Sequence, residues 1–430
     1  MKFINFGGAT AIIEHNGKRI FFDPWLDDGI FHGAWFHFPP AVLGIEDIGH
    51  VDYVYISHIH EDHCSAGTIK HINSDAEIIL MDRRPNLVKN FLSNNNLHFK
   101  KIHLISPRTP VELEPGLIVD MVEPNPDDEM TKLIDSSIVI NWDGFTLYNA
   151  NDCQPHSDGI QYIKNNYKRV DLALLPYSGG SGYPSCYTNL TDAEKLSEKE
   201  RIIKSRVKSF IDSVRQLNPV YVIPFADAWC VGGSRSDLNK FVAHSSCRGI
   251  VERPFKDSNL QSNLLLINTG QDYNFDTNKK TPDEPYTYYT ENDRDDYIAS
   301  KLTDVSYDYE KFTFEPAVSL PRQLKYARSR QWDAQKRLNY FPEFSFYFDT
   351  IDTDQRFHIS TLTEDVNISS TDTDLVKPYL RISVPRNLLI MLLIGHISWN
   401  IADAAFFLEY DRVPNTYDPE IYALLNYLRA

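Results

Sequence analysis

Four candidate metal ligands, His58, His60, Asp62 and His63, stand within six positions immediately after the strand-like run Val51 to Ile56. Imidazoles two positions apart can converge on one cation, while Asp62 and His63, on the following turn, can face a second cation a few ångströms away. A dinuclear metal site is the expectation. The bland alternative is a polar loop with solvated or internally bonded histidines. The preceding strand argues against it, because residues leaving a strand end can converge where mid-strand residues cannot.

The 430 residues carry 43 Lys plus Arg against 59 Asp plus Glu, a net charge of -16. Such a surface repels polyphosphate, so a nucleic-acid-coating role is not expected. A hydrophobic content of 42%, with 13% aromatic residues, can fill a sizeable core and excludes global disorder. The five cysteines are scattered without a CxxC pair, which fits a reducing compartment better than a disulfide framework. Cys64 and Cys153 read as buried packing residues. No basic N-terminal segment leads into an apolar core, and the longest apolar run, Leu388 to Ile394, is far short of the roughly 20 residues of a membrane span. A cytoplasmic protein with no membrane contact is expected, with homo-oligomerisation left open.

The first 270 residues alternate short apolar strands first with hairpins and later with helices, an α/β rhythm. Asn16-Gly17 joins Ala11 to Glu14 and Arg19 to Phe22 as a hairpin, since both turn residues take positive φ readily. Asp143-Gly144 joins Ser137 to Asn141 and Phe145 to Tyr148 in the same way. Asp171 to Leu175 leads into the glycine-rich Ser178 to Gly182, and Thr191 to Leu217 reads as one long helix. Residues 271–310 are poor in aliphatics and read as an acidic linker or excursion. Residues 311–430, with a helix near Arg322 to Asn339, several strands and an apolar helix from Arg386, read as a smaller α+β domain.

The hexapeptide, the Asn16-Gly17 hairpin before it and Asp23-Pro24-Trp25 resemble the metallo-β-lactamase superfamily. That resemblance implies an αββα sandwich with metal at one edge of its two sheets. Asp23, His58, Glu123, Asp152 and Asp227 each sit at or just beyond a predicted strand end. In the superfamily an aspartate after a hairpin strand bridges two metals, and Asn151-Asp152-Cys153 matches that position. Many superfamily hydrolases place a histidine where this chain has Glu123. Their later histidine is also lacking, with Pro224-Phe225-Ala226-Asp227 in its place. The implied ligands are His58, His60, Glu123 and Asp152 for one ion and Asp62, His63 and Asp152 for the other, with Asp227, Asp135 and His156 as further candidates. A carboxylate-rich set is harder than a histidine-rich zinc site and leans toward iron over zinc or manganese, although zinc also accepts carboxylates.

A closer similarity, to the catalytic part of the CMP-N-acetylneuraminate hydroxylase family, runs through Asp135 to Ile140, Asn151-Asp152-Cys153, Ser178 to Pro184, the long helix, Pro224-Phe225-Ala226 and Trp399 to Tyr422. It implies hydroxylation of a small anionic or sugar-nucleotide-like metabolite with iron, O2 and electrons from a Rieske domain. This sequence has no pair of Cys-x-His motifs, so an external donor, a separate ferredoxin or Rieske-type protein, is expected. The competing expectation is a dinuclear hydrolase of a phosphodiester, lactone or amide. Ser178, Gly179 and Gly180 can present backbone N–H groups to an anionic substrate, and Arg235 can pair with it; a strand-to-helix connection and a solvated loop explain them as well. His396 and Trp399, on one helical face, read as core residues in a segment that can close over a site.

Overall fold

Hairpin chemistry and period-two alternation build the first half of the chain. A computed structural model of the protein describes residues 1–128, 131–227, 229–245, 247–315 and 318–429. Thr10–His15 and Lys18–Phe22 pair antiparallel through Asn16 and Gly17, whose φ values are 48° and 75°. Ser137–Trp142 and Phe145–Asn149 do the same through Asp143 and Gly144, at 49° and 85°. Both turns have positive φ at their two central residues, as a tight primed hairpin requires.

Among the described residues the first sheet has eight strands, in the order Lys279–Thr281, Asp272–Asn274, Lys2–Gly7, Thr10–His15, Lys18–Phe22, Tyr53–Tyr55, Glu77–Met81 and Lys101–Ile105. The second has seven: Asn263–Leu264, Tyr221–Phe225, Leu172–Pro176, Phe145–Asn149, Ser137–Trp142, Leu117–Val122 and Val111–Glu114. Alternate residues face alternate sides. Leu172 and Leu174 join Phe3, Ile20, Tyr55, Ile138 and Ile140 in the core between the sheets. Ala173 and Leu175 turn instead to the layer of Phe210, Ile211 and Val214 from the helix Asp192–Leu217. On the far face of the first sheet, Val54, Ile78 and Leu80 pack with Ile69, Val88 and Leu92. The result is helix, sheet, sheet, helix, the expected sandwich.

Parallel pairing sets the location of the site. Lys18–Phe22 and Tyr53–Tyr55 run side by side in parallel, so their C-terminal ends emerge together. Asp23 N–H donates to the Tyr55 carbonyl at 2.9 Å, locking the two exits side by side. Residues 271–310, expected as an acidic linker or excursion, contain regular elements. Two short strands extend the first sheet, and Glu291–Lys301 is a helix capped by Thr290 and Asp293.

The smaller C-terminal unit is a five-stranded sheet, Val366–Ser370, Gln355–Ser360, Ser345–Thr350, Tyr379–Val384 and Glu409–Val413, with the helices Leu320–Leu338, Arg386–Leu393, Trp399–Ala404 and Pro419–Leu425. Leu388 through Leu393 are each at most 1% exposed, and burying each contributes about 2 kcal/mol. Their cluster is continuous with Trp25, Phe31, Trp35, Trp229 and Val231 of the sandwich unit, so one core crosses the seam. Among the described residues no helix is long and apolar enough to cross a membrane.

Candidate metal centre

His58, His63 and Asp152 each bring a ligand atom within 4.8 Å of the others. His58 Nε2 lies 2.9 Å from His60 Nδ1, so the two imidazoles aim their nitrogens at one point. His63 Nε2 is 3.3 Å from Asp152 Oδ2 and 3.4 Å from Asp62 Oδ2, which defines a second point beside the first. Asp152 belongs to the turn after Phe145–Asn149, and its side chain is 40% exposed, so the cluster opens toward solvent on that side.

Each imidazole is held through its other nitrogen. Asp23, with no solvent exposure, accepts hydrogen bonds from His63 Nδ1 at 2.9 Å, from the Ser57 amide at 2.7 Å and from the Ser57 hydroxyl at 2.9 Å. Ser57 Oγ in turn lies 3.0 Å from His58 Nδ1, which donates to it. His60 Nε2 is 2.9 Å from Oδ1 of Asn400, on the C-terminal helix Trp399–Ala404. With these N–H groups engaged, His58 Nε2, His60 Nδ1 and His63 Nε2 carry the free lone pairs, and all three face the cluster. Outer acceptors of this kind fix the tautomer and orientation of metal-binding histidines.

The electrostatics ask for a cation. Asp135, 3% exposed, has Oδ1 at 3.9 Å from His58 Nε2, and that oxygen has no hydrogen-bond partner. Burial and the neighbouring Asp152 push the Asp135 carboxyl well above its ordinary range. Burial, His63 and His60 push the His58 imidazole well below its own, so it stays a neutral donor. The His63 imidazole is pulled the other way: burial opposes its charge, yet with no cation beside them Asp152, Asp62 and Asp23 hold a second proton on it well above the usual value, the proton that a metal ion at Nε2 would displace. A buried carboxylate oxygen without a donor is costly, and a metal ion satisfies it. The donor set thus fits metal binding.

The remaining expected residues have partners of their own. Glu123 Oε1 is 2.5 Å from Arg108 Nη2, and its Oε2 is buried without a partner. His156 caps the helix Ser157–Asn166 and bonds the Glu123 carbonyl at 3.2 Å. Asp227 pairs with Arg248 at 2.7 Å and accepts from the Tyr177 hydroxyl. Arg235 reaches Glu409 at 2.7 Å and the Phe406 carbonyl at 2.9 Å, so it ties the two units together. Ser178 is buried with an unpartnered hydroxyl, Gly179 lies against the Arg206 guanidinium, and Gly180 lies under the rings of Trp35 and Trp229. Cys64 and Cys153 are buried, as expected. His396 is exposed against Phe312, whereas Trp399 is buried, so only the second is a core residue.

Sequence reasoning placed Asp23 at a strand end without a role and missed Ser57 and Asn400. Asp23 carried a usable signal, since it stops one strand beside the strand that launches the histidines. Asn400 had none, being 340 residues from its partner in the chain.

The family model for the Beta-lactamase superfamily domain matches residues 3–226, just over half of the chain. The protein belongs to the metallo-β-lactamase superfamily, and with this centre it is a metal-dependent enzyme of that class. A Mycobacterium tuberculosis protein named for a Rieske 2Fe-2S iron-sulfur centre is 27% identical over 242 residues, 54% of this chain and 44% of that protein. Cytidine monophosphate-N-acetylneuraminic acid hydroxylase of Xenopus laevis is 26% identical over 275 residues, 61% of this chain and 42% of the hydroxylase. The matched part spans less than half the length of these relatives. Among solved structures, a metallo hydrolase of Ignicoccus hospitalis aligns with a TM-score of 0.43 and 18% identity over 64% of this chain and 98% of that chain.

Proposed function

We propose that the protein is a dinuclear iron, O2-dependent oxygenase that hydroxylates a small anionic or sugar-nucleotide-like metabolite. The observation that carries this reading is the unpaired, buried Asp135 oxygen beside His58, which adds a hard donor to a cluster already holding Asp62 and Asp152. Oxygen-rich sets favour iron or manganese over zinc. The names of the Mycobacterium tuberculosis and Xenopus laevis relatives support an oxidative chemistry fed by an iron-sulfur donor. We assign His58, His60 and Asp135 to one ion, Asp62 and His63 to the other, and Asp152 between them. Asp135 is placed ahead of Glu123, which is engaged with Arg108.

When bound, the two ions supply O2 activation. The chain's own residues orient and enclose. Asp23 and Ser57 hold His63 and His58 in the tautomers that present lone pairs, and Asn400 does so for His60. Phe31, 1% exposed, stands 6.4 Å from the His60 ring, and Trp35 packs behind it at 4.7 Å. This apolar wall keeps water from one side of the centre, which protects a reactive site from side reactions.

Protein purified from iron-supplemented cells is expected to retain iron, to absorb in the visible and to bleach on reduction. It is expected to consume O2 when a reduced ferredoxin is supplied. Stoichiometric zinc, no O2 uptake, and turnover of a lactone or phosphodiester panel would overturn the oxygenase reading in favour of a hydrolase.

A further inference from the structure

On the long helix Asp192–Leu217 one arginine stands apart from the other two. Arg201, Lys204, Lys208 and Arg215 each pair with a carboxylate three or four residues away on the same helix. Such pairs are the ordinary fate of surface charges on a helix. Arg206 is half-buried, and among the described residues its guanidinium makes no ion pair and no hydrogen bond. A half-buried guanidinium whose five donors no protein group takes up is free to fork onto an anion.

Its surroundings say what kind of ligand. The guanidinium lies over Gly179, where a side chain, if present, would meet it at 3.4 Å. The preceding residue, Ser178, is 6% exposed, and its hydroxyl has no partner. Gly180 is seated against Trp35 and Trp229, which stack at 3.7 Å with 8° between their planes, so the loop has a rigid floor. The loop also stands near the metal cluster, because Trp35 packs on Phe31, whose ring faces the His60 imidazole at 6.4 Å. Arg235, the cation expected to meet an anion here, is already engaged with Glu409.

We propose that Arg206, the Ser178 hydroxyl and the Gly179-Gly180 backbone form an oxyanion subsite that takes a carboxylate or phosphoryl group of the substrate on the Trp35 side of the centre. A guanidinium forks onto either group, and glycines let the anion approach the backbone N–H groups. The inference rests on the anionic-substrate part of the function proposed above. It does not depend on whether the chemistry is oxidative.

The test is calorimetric binding of inorganic phosphate and, separately, acetate to the full chain. The variants are Arg206→Gln, Arg206→Lys, Arg201→Gln and the double variant His58→Ala, His60→Ala, with melting temperature and metal content measured for each. The tighter-bound anion is expected to lose at least 10-fold in affinity in Arg206→Gln, and less in Arg206→Lys, which keeps charge without the fork. Arg201→Gln and the double variant are expected to bind like the parent. Preference for phosphate assigns a phosphoryl group, and preference for acetate a carboxylate. Equal binding in Arg206→Gln and parent, no binding to the parent, or binding that vanishes only in the metal-depleted double variant would overturn the proposal. If Arg206→Gln does not fold, unweakened binding in Arg206→Lys does so. Failure of the oxygenase reading alone, seen as zinc content without O2 uptake, leaves these expected affinities unchanged.

Discussion

Asp23 shows how much a single buried carboxylate can organise: it spends its acceptor capacity on His63, on the Ser57 amide and on the Ser57 hydroxyl. Asp23→Asn is expected to weaken metal binding by about 10- to 100-fold, as removal of such outer acceptors typically does. Competition with a chelator of known affinity measures this, and an unchanged affinity would remove Asp23 from the account. Asp135 and Glu123 separate in the same assay. Asp135→Asn is expected to lose metal and Glu123→Gln to keep it; the reverse would restore Glu123 as the ligand. Asp403, beneath Gly182, offers a pH test. Burial raises its carboxyl to about 6, although Tyr410 and Arg412 pull it down. A folded-state value above the unfolded 3.8 means that the cost is absent below about pH 4, grows through pH 4 to 6 and is full above 6. Asp403→Asn should therefore raise the melting temperature near pH 7, by the equivalent of about 1 to 3 kcal/mol, and change it little near pH 4. Equal shifts at both pH values would contradict this.

Elements differ in how openly the sequence announces them. The two hairpins were legible because Asn16-Gly17 and Asp143-Gly144 encode their own turns, and the long helix because Val207, Phe210, Ile211 and Val214 recur at helical spacing. Asp272–Asn274 and Lys279–Thr281 were not, because three residues are too few to show a period; Asp272–Asn274 owes its strand character to pairing with Lys2–Gly7, far away in sequence, and Lys279–Thr281 pairs in turn with Asp272–Asn274. The same holds for Trp35–His37 and Trp229–Val231, which pair across almost 200 residues. Within the site, the hexapeptide was legible as a local cluster. Asn400 was not, because only tertiary packing brings it there. Arg235→Ala tests the seam between units. It removes the Glu409 ion pair and the Phe406 carbonyl bond, and urea unfolding should report a loss of about 2 kcal/mol with metal content retained. A loss of metal instead would return Arg235 to the centre.

At the scale of the molecule, the C-terminal unit completes the sandwich rather than trailing from it. Trp35 donates from Nε1 to the Ala404 carbonyl at 2.8 Å, Tyr410 donates to the Cys186 carbonyl at 2.8 Å, and one apolar cluster runs through both units. A chain ending at residue 310 keeps every proposed ligand but exposes Phe31, Trp35, Trp229 and Val231, and it loses Asn400. Exposed apolar area on this scale drives aggregation, so such a chain should be insoluble or unable to hold metal. Recovery of it as a soluble monomer with full metal content would contradict the shared core. The claim on which everything else depends is that the histidine and aspartate cluster holds two metal ions. The direct measurement is the metal-to-chain ratio by mass spectrometry, for the parent and for His58→Ala, His60→Ala purified in parallel from iron-supplemented cells, with circular dichroism to check the fold. The account predicts two ions per chain in the parent and fewer than one in the folded double variant. Equal ratios in the two proteins would contradict it.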